Sequence, residues 1–323
     1  MKIEPFYKEN KEHLFSLIKS IYNTETNDDF WNWRIFNEKF GKPIQYGMWD
    51  GDELIGYHVL HPIPMKIKKN TEKILFSMAT MTHPDYRGQG IFLNLAKISY
   101  ETAIKSGYKF IIGFPNTNSQ KTFFGKLNWI NLGNISEFYT NKFEPLIDPN
   151  NYQISKINQF DERINKIWSS NKDNYDFIVQ RDMNYLNWRF VEIPKIKFKD
   201  QSKSEYFCFL LEDEKPETYF VIKKFGNEKA HIVDIFGKLN NDIMNRILKH
   251  SFEFCNKNKI TYLSLWADFN LNEQYIHSIL HKHKFKKKIS ETFRGSCLLN
   301  DDMKKLITKD NNWYYTMSDS DTY

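Results

Sequence analysis

Apolar residues in the first half of the chain predict helices and strands in a definite order. A spacing of three and four residues, typical of one helix face, recurs in residues 9–22, 90–106 and 119–127. Apolar runs typical of strands occupy residues 2–8, 44–49, 54–60, 74–82 and 110–114. Asp50-Gly51-Asp52 between two of these runs predicts a hairpin, because glycine tolerates the positive φ of a tight turn. This order predicts an α/β or α+β fold on one mixed sheet.

The second half of the chain repeats the order of the first. Phe30-Trp31-Asn32-Trp33-Arg34 resembles Tyr185-Leu186-Asn187-Trp188-Arg189. After the second motif, strand-like runs occupy residues 206–211, 218–223, 230–236, 260–266 and 293–298, and helical spacing occupies 242–256 and 274–283. The matching order favours an internal duplication over a chance recurrence of Asn-Trp-Arg. We therefore predict two tandem domains, residues 1–148 and 149–323.

Composition narrows the class of protein. A chain of 323 residues, 41% of them hydrophobic, is long enough for two domains with real cores. No apolar run approaches the ~18 residues of a membrane span, and the N-terminus lacks the apolar stretch of a secretory signal. Three widely separated cysteines without a CxxC pair favour reduced thiols. These features predict a cytoplasmic protein with no membrane partner.

Charge further limits the partners. The net charge of +6 suits anionic small molecules such as nucleotides and cofactor phosphates. Only seven of the 46 basic residues are arginines, whereas sequence-specific nucleic-acid readers favour arginine, so we expect no nucleic-acid partner. The close pairs His58/His61 and His281/His283 are interpreted as strand-end and surface features, so no metal is expected. The oligomeric state is left open.

The segment from His83 to Phe92 lies between a predicted strand and a predicted helix and carries the candidate chemistry. Gly88 and Gly90 let the backbone turn tightly, and the free N–H groups at the start of the helix offer an anion site. Arg87 adds a cation, so a diphosphate is the expected guest. Neither a dinucleotide-binding fingerprint nor a Gly-Lys-Ser/Thr loop fits this segment. The plain alternative is a strand-to-helix turn punctuated by glycine.

Residues 84–92 resemble motif A of the GNAT N-acetyltransferase superfamily, Arg/Gln-x-x-Gly-x-Gly/Ala, with Phe92 in place of the final small residue. The resemblance covers about residues 2–140, and a degenerate echo covers much of residues 160–317. It implies two tandem GNAT-like domains with mixed, splayed sheets, the first of which binds acyl-coenzyme A in the splay. The second domain lacks the glycine loop and is expected to shape the acceptor site.

The resemblance also implies roles for individual residues beside the acyl-coenzyme A. The backbone of Thr80, Met81 and Thr82 would hold the pantetheine arm, and an amide near Met81 would polarise the thioester carbonyl. Asn116 and Phe124 would lie beside the cofactor as well. The pyrophosphate would bind at the loop and the helix start, which comprise Arg87, Gly88, Gln89, Gly90, Ile91 and Phe92.

The catalytic candidates depart from the usual pattern of the family. Many relatives place a tyrosine where Phe124 stands, and that tyrosine protonates the leaving thiolate. A phenyl ring donates no proton, so the thiolate leaves unassisted or uses another hydroxyl, for which Ser119 is a candidate. His83 is the first candidate for the base that takes the proton of the acceptor amine, ahead of His58, His61 and Asp234, and a water relay is the rival to all of them. Asn116 is a further catalytic candidate, although a role in a turn or as a helix cap explains this residue equally well.

A narrower group of two-domain GNAT proteins is also similar, through residues 30–34, 81–88 and 113–116. Its members N-acylate nucleotide-linked amino-deoxysugars, here expected with dTDP, in bacterial surface-polysaccharide (O-antigen) biosynthesis. The donor is acetyl-coenzyme A or a short hydroxyacyl form such as 3-hydroxybutanoyl-coenzyme A. His58 and Asp234 are candidates for contact with the acceptor. The alternatives are an acetyltransferase for an aminoglycoside, polyamine or protein amine, and a non-catalytic acyl-coenzyme A sensor, which the departure at Phe124 favours.

Overall fold

The computed structural model describes residues 1–24, 26–146, 153–197, 203–267, 273–307 and 312–321. Its strands, in chain order, are β1 (Lys2–Pro5), β2 (Ile44–Asp50), β3 (Glu53–Ile67), β4 (Asn70–Thr82), β5 (Phe110–Gly113), β6 (Ile130–Thr140), β7 (Gln153–Ile157), β8 (Phe177–Val179), β9 (Ile196–Lys197), β10 (Lys203–Glu212), β11 (Pro216–Phe225), β12 (Lys229–Gly237), β13 (Tyr262–Trp266), β14 (Lys286–Leu298) and β15 (Trp313–Tyr314). Its α-helices are α1 (Lys11–Tyr22), α2 (Asp28–Trp31), α3 (Ile91–Lys105), α4 (Glu162–Asn171), α5 (Met183–Leu186), α6 (Asn241–Lys257), α7 (Glu273–Lys282) and α8 (Asp301–Leu306).

The chain divides into two compact units, each assembled from separate segments. Unit 1 comprises residues 1–65, 72–134 and 291–310. Unit 2 comprises residues 66–71, 135–290 and 311–323. The division into domains predicted at residues 148 and 149 lies outside the described residues and stays a prediction.

The sheet of unit 1 has the strand order β1-β2-β3-β4-β5-β14. β1, β2 and β3 pair antiparallel, β4 and β5 pair parallel, and β14 pairs antiparallel with β5. α3 packs Ile91 and Leu95 against Met48 and Ile55 of the sheet. This contact buries the apolar face that the spacing of residues 90–106 predicts, and it places the start of α3 beside the end of β4.

The sheet of unit 2 repeats this arrangement with the strand order β6-β13-β12-β11-β10-β7. β12 and β13 pair parallel, whereas β11 pairs antiparallel with both β10 and β12. The long helix α6 follows β12 as α3 follows β4. The predicted mixed α/β architecture is confirmed in both units.

The repeated Asn-Trp-Arg motif folds in the same way in both units. α2 continues into a π-helical turn over residues 32–36, and α5 continues into one over residues 187–191. Side chains of Asn27 and Asp182 cap the two helices. Trp33 and Trp188 are both buried. The shared local structure supports the duplication and a structural role for the motif.

The structure differs from the sequence expectation at residues 119–127. The predicted helix is a single π-helical turn, Lys121–Lys126. Leu127 N–H bonds to the carbonyl of Thr122, five residues earlier, and the ring of Phe123 lies 4.6 Å from that of Trp129. Packing in the core of unit 1 therefore decides the local structure here, rather than helical spacing.

Candidate active site

The first feature of the site is an opening between two parallel strands of unit 1. β4 and β5 pair as far as Ser77 and Gly113, and β4 then continues to Thr82 while β5 ends. Ala79 lies in this extension with a φ of 47°, a left-handed conformation that is rare for a residue other than glycine. The extension therefore bends where the resemblance places the pantetheine arm, at residues 80–82. Nothing in the sequence signals the bend, because alanine has no preference for this conformation.

The second feature is the turn that joins β4 to α3. Gly88 and Gly90 have φ values of 82° and 77°, and a Cβ on either would meet no atom within 4 Å. Backbone conformation, not space, therefore requires glycine at both positions. Gly90 precedes α3, no described side chain caps the helix, and the first helical bond joins Asn94 N–H to Gly90 O. The amides of residues 91–93 thus begin the helix without an internal acceptor, which favours an anion.

The side chains around this turn keep its backbone accessible. Arg87 is exposed. Tyr86 donates a hydrogen bond of 3.0 Å to Asp50 Oδ2, which ties the turn to the end of β2. The ring of Phe92 points to the core of unit 1, 5.0 Å from the ring of Phe123. Phe92 therefore keeps its N–H at the helix start although relatives have a small residue there.

His83 follows the last residue of β4. Its N–H donates to Ile55 O at 2.8 Å, and Asp85 N–H points to its Nδ1 at 3.3 Å, so we assign the proton of the neutral ring to Nε2. Glu53 Oε1 lies 3.9 Å from Nε2 and Asp85 Oδ2 lies 3.9 Å from Nδ1. The side chain is 17% exposed. A partly accessible imidazole thus stands at the end of the bent strand.

Asn116 and Ser119 form one turn after β5. Asn116 Oδ1 accepts from the backbone N–H of Asn118 at 3.0 Å and of Ser119 at 3.1 Å. The hydroxyl of Ser119 donates to the same oxygen at 3.2 Å and accepts from Asn116 N–H at 3.1 Å. Thr292 of β14 forms a bridge with Asn116 at this turn. The turn-capping role of Asn116 is thus present in the structure, and the catalytic roles of both residues stay predictions.

Phe124 lies in the π-helical turn of unit 1. Its ring is half-buried and lies 6.0 Å from the ring of Phe293 on β14. Residues 292–298 belong to unit 1 although they come from the far end of the chain. Their place beside Phe124 and Asn116 has no signal in the local sequence.

His58 is buried in unit 1. Its Nδ1 lies 2.9 Å from Ser99 Oγ on α3, and its Nε2 lies 3.4 Å from Ser77 Oγ on β4. Burial lowers the pKa of His58 to about 3, so the ring is neutral. The ring links β3 to α3 through Ser99 and to β4 through Ser77, which is the last residue of β4 that pairs with β5. Acceptor contact by His58 stays a prediction, and the geometry favours a linking role.

Asp234 on β12 is buried in unit 2. Its Oδ1 accepts from Arg181 Nε at 3.3 Å and from Thr316 Oγ1 at 2.9 Å, and its Oδ2 accepts from the Tyr219 hydroxyl at 2.8 Å. Arg181 Nη2 also donates to Asp319 Oδ2 at 2.7 Å. Contact with the acceptor stays a prediction for Asp234 too. The geometry favours an anchor that joins β12 to the C-terminal segment.

The C-terminal segment packs against the end of β12 in unit 2. Residues 312–320 are all buried. Trp313 stacks on Phe177 with ring centroids 4.0 Å apart, and Tyr314 lies edge-on to Phe236 at 5.8 Å. The side chains at the end of this strand are therefore covered by the chain itself.

The turn after β12 is built differently from the turn after β4. The side chain of Asn240 accepts from Ile243 N–H at 2.9 Å and caps α6. A Cβ on Gly237 would lie 2.2 Å from Glu217 O, so this glycine allows close packing of two strands. Unit 2 therefore lacks the uncapped, glycine-rich helix start of unit 1.

Within the described ranges, no group of three or more His, Cys, Asp or Glu side chains could hold a metal ion. No helix within these ranges is long and apolar enough to cross a membrane. Cys208, Cys255 and Cys297 are buried free thiols.

Comparison with known proteins identifies the class. Residues 2–130 match the family model described as an acetyltransferase (GNAT) domain. None of the curated proteins matches the sequence.

Several solved structures have a similar fold. A protein of unknown function from Enterococcus faecalis V583, described as a probable N-acyltransferase, gives a TM-score of 0.68 at 13% identity over 92% of this chain and 72% of that one. A tandem GNAT protein from the clavulanic acid biosynthesis pathway gives 0.64 at 9% identity over 93% of this chain and 98% of that one. Saccharomyces cerevisiae N-myristoyltransferase with bound myristoyl-coenzyme A gives a TM-score of 0.61 at 9% identity over 93% of this chain and 78% of that one.

The match to the GNAT acetyltransferase domain model thus covers residues 2–130 of the 323. The solved structures share the fold of this chain over more than nine-tenths of its length. The predicted fold class and the prediction of a GNAT-type acyl-coenzyme A N-acyltransferase are confirmed. The acceptor, the acyl chain and the site residues belong to the proposal that follows.

Proposed function

We propose that the protein acylates the primary amine of a nucleotide-linked amino-deoxysugar, with dTDP as the nucleotide, in the cytoplasm. The donor is acetyl-coenzyme A or a short hydroxyacyl-coenzyme A, and the amine attacks directly in a ternary complex. The observation that carries the donor side is the opening past Ser77 and Gly113 next to the uncapped start of α3. The similarity of residues 30–34, 81–88 and 113–116 to two-domain GNAT proteins that N-acylate such sugars supports the acceptor.

Residues of unit 1 would hold the donor in this proposal. The amides of residues 88–92 would hold the pyrophosphate, with exposed Arg87 as a counter-charge. The unpaired edge at residues 80–82 would hold the pantetheine arm as an added strand. An amide near Met81 would polarise the carbonyl to be attacked. Bound acyl-coenzyme A supplies the activated acyl group.

Proton transfer falls to His83 in this proposal. The new carbon–nitrogen bond forms as the thiolate leaves, and the nitrogen loses one proton. Asp85 N–H points to Nδ1, the nitrogen of the neutral ring that would take the proton of the amine. This weak contact must therefore break before Nδ1 accepts that proton. Glu53 faces the opposite nitrogen. We expect His83→Gln to lower kcat about a hundredfold, with little change in KM for the donor, and the exposed His13→Gln to serve as the control.

A thiol-release assay tests the whole proposal. Acetyl- and 3-hydroxybutanoyl-coenzyme A are offered with dTDP-linked amino-deoxysugars, and with tobramycin and spermidine as other amines. Turnover on the nucleotide sugars supports the proposal, and the preferred donor reports the size of the acyl pocket. Turnover on tobramycin or spermidine alone would overturn the acceptor while keeping the donor.

A second candidate function is a non-catalytic acyl-coenzyme A sensor. Phe124 favours it, because the ring that stands where relatives have a tyrosine has no proton to donate to a thiolate. Saturable binding of acyl-coenzyme A without turnover on any amine would establish this function. The variant Phe124→Tyr would then test whether a hydroxyl group at this position is enough to start turnover.

A further inference from the structure

The positive charge of the chain is concentrated in one short segment. Residues 281–289, which we call the basic segment, contain five lysines and no acidic residue. The whole chain has a net charge of +6, so this segment accounts for five of those six charges. The rest of the chain is close to neutral.

The basic segment is exposed. It covers the end of α7 and the first half of β14, all within unit 2. Ile289 is 71% exposed, the largest fraction of any large hydrophobic side chain among the described residues. The lysines are exposed as well, and they are Lys282, Lys284, Lys286, Lys287 and Lys288. Ile289 thus stands in solvent at the end of a lysine-rich stretch of the sequence.

Two of the lysines are held in place by aromatic rings. Lys287 Nζ lies 5.7 Å from the centre of the Phe138 ring, and Lys288 Nζ lies 5.4 Å from that of Tyr139. Lys288 also lies 3.3 Å from Glu137 Oε1. Among the side chains that the structure describes, this is the one ion pair that the five lysines make. Four cations therefore face solvent without a carboxylate partner among those side chains.

We propose that the basic segment docks the protein on an anionic lipid surface. Clusters of four to eight lysines or arginines are attracted by anionic headgroups, and an aliphatic side chain beside them enters the interface between headgroups and acyl chains. A binding site that reads nucleic-acid sequence favours arginine forks, and this segment has none. Docking of this kind needs no spanning helix. It departs from the expectation, drawn from the sequence, that the protein has no membrane partner.

Sedimentation with lipid vesicles tests the proposal on the full chain. We expect binding to vesicles of phosphatidylcholine with phosphatidylglycerol, weak binding to phosphatidylcholine alone, and release at high salt. The variant K284A/K286A/K287A should lower the partition coefficient about a hundredfold, since each lysine near the surface contributes about a factor of five. I289S should lower it about fivefold.

Matched controls separate docking from folding and from general charge. K97A/K105A/K166A removes three exposed lysines elsewhere and should keep vesicle binding within about twofold. Acyl transfer to a soluble acceptor, or binding of acyl-coenzyme A, should be unchanged in all variants. Equal binding to both kinds of vesicle, equal losses in the two triple variants, or capture of an oligonucleotide or acidic protein without vesicle binding would overturn the proposal.

Discussion

The turns that follow β4 and β12 each join a strand to a helix, but they differ in whether a described side chain caps the start of that helix. In unit 1, Gly88 and Gly90 take positive φ values and no described side chain caps α3. In unit 2, Asn240 caps α6 with its own side chain. A helix start left uncapped can offer all of its first N–H groups to an anion, whereas the side-chain cap of α6 takes up one of them.

The strands that lead into these turns differ in the same sense. β4 runs past the end of β5 with a left-handed residue at Ala79. β12 also runs past its last pair with β13, at Ile232 and Leu265, but there Asp234 binds Arg181 and the C-terminal segment. A duplicated fold can thus keep an opening in one copy and fill the equivalent strand end with its own chain in the other.

The largest expected effect comes from breaking the filled strand end of unit 2. Arg181→Met leaves the carboxylates of Asp234 and Asp319 buried without a counter-charge, so the free energy of unfolding should fall by about 3–5 kcal/mol. Urea denaturation measures the change. Arg163→Met is the control, because its ion pairs with Asp161 and Glu212 are partly exposed and each should contribute less than about 1 kcal/mol. Equal losses in the two variants would contradict the anchoring role.

Acid should destabilise both units, and His58 in unit 1 and His231 in unit 2 are the histidines with the large pKa shifts. Burial lowers the pKa of His58 and of His231 to about 3, from 6.5 in the unfolded chain. The unfolded chain therefore binds protons first as the pH falls, and stability present above pH 6.5 is lost towards pH 3. Each histidine gives a slope of up to about 1.4 kcal/mol per pH unit.

Urea denaturation at a series of pH values tests this dependence. We expect H58Q and H231Q each to flatten the curve between pH 6.5 and pH 3, and H13Q, at an exposed position, to leave it unchanged. An unchanged slope in both buried variants would show that other groups cause the acid sensitivity.

Disturbing the uncapped turn should weaken donor binding with a smaller effect on stability. Gly90→Ala places a Cβ on a residue with a φ of 77°, which costs about 1–2 kcal/mol or shifts the amides that follow. The Kd for acyl-coenzyme A, measured by calorimetry, should rise about tenfold. Gly125→Ala is the control in the same unit, since its Cβ would meet no atom within 4 Å and its φ is not positive. Equal affinities for the two variants would remove this turn from the donor site.

The smallest effect concerns the cap of unit 2. Asn240→Ala removes the oxygen that accepts Ile243 N–H and should lower the free energy of unfolding by about 1 kcal/mol. Asn240→Ser, which keeps a capping oxygen, should restore most of it. Donor affinity should not change in either variant. Tighter binding of acyl-coenzyme A to Asn240→Ala would mean that unit 2 has kept a latent anion site.

The features that follow from local sequence were predicted well. Apolar spacing located α3 and α6 to within one or two residues at each end, and the Gly-x-Gly pattern located the turn with positive φ. The hairpin at Asp50-Gly51-Asp52 also formed. In each case the decisive interactions lie within a few residues of one another.

The features that depend on distant parts of the chain were missed. The bend at Ala79 is imposed on a residue that does not favour it. Asp234 became an anchor because Arg181 and Thr316 reach it from positions far away in the sequence. The place of Thr292 beside Asn116 likewise arises from tertiary pairing. Rules based on residue spacing do not describe such contacts. They therefore predicted neither the packing of the C-terminal segment at the end of β12 nor the pairing of β14 beside Asn116.

The pairing of β5 with β14 has a consequence for biosynthesis. The two strands are separated by about 180 residues, which a ribosome adds in roughly ten to forty seconds. During that time the edge of Phe110–Gly113 waits in the nascent chain without its final neighbour, and such edges invite aggregation. Unit 1 is encoded first but completed almost last, so transcripts or nascent chains cut short anywhere before residue 298 should yield a product that depends on chaperones or is degraded.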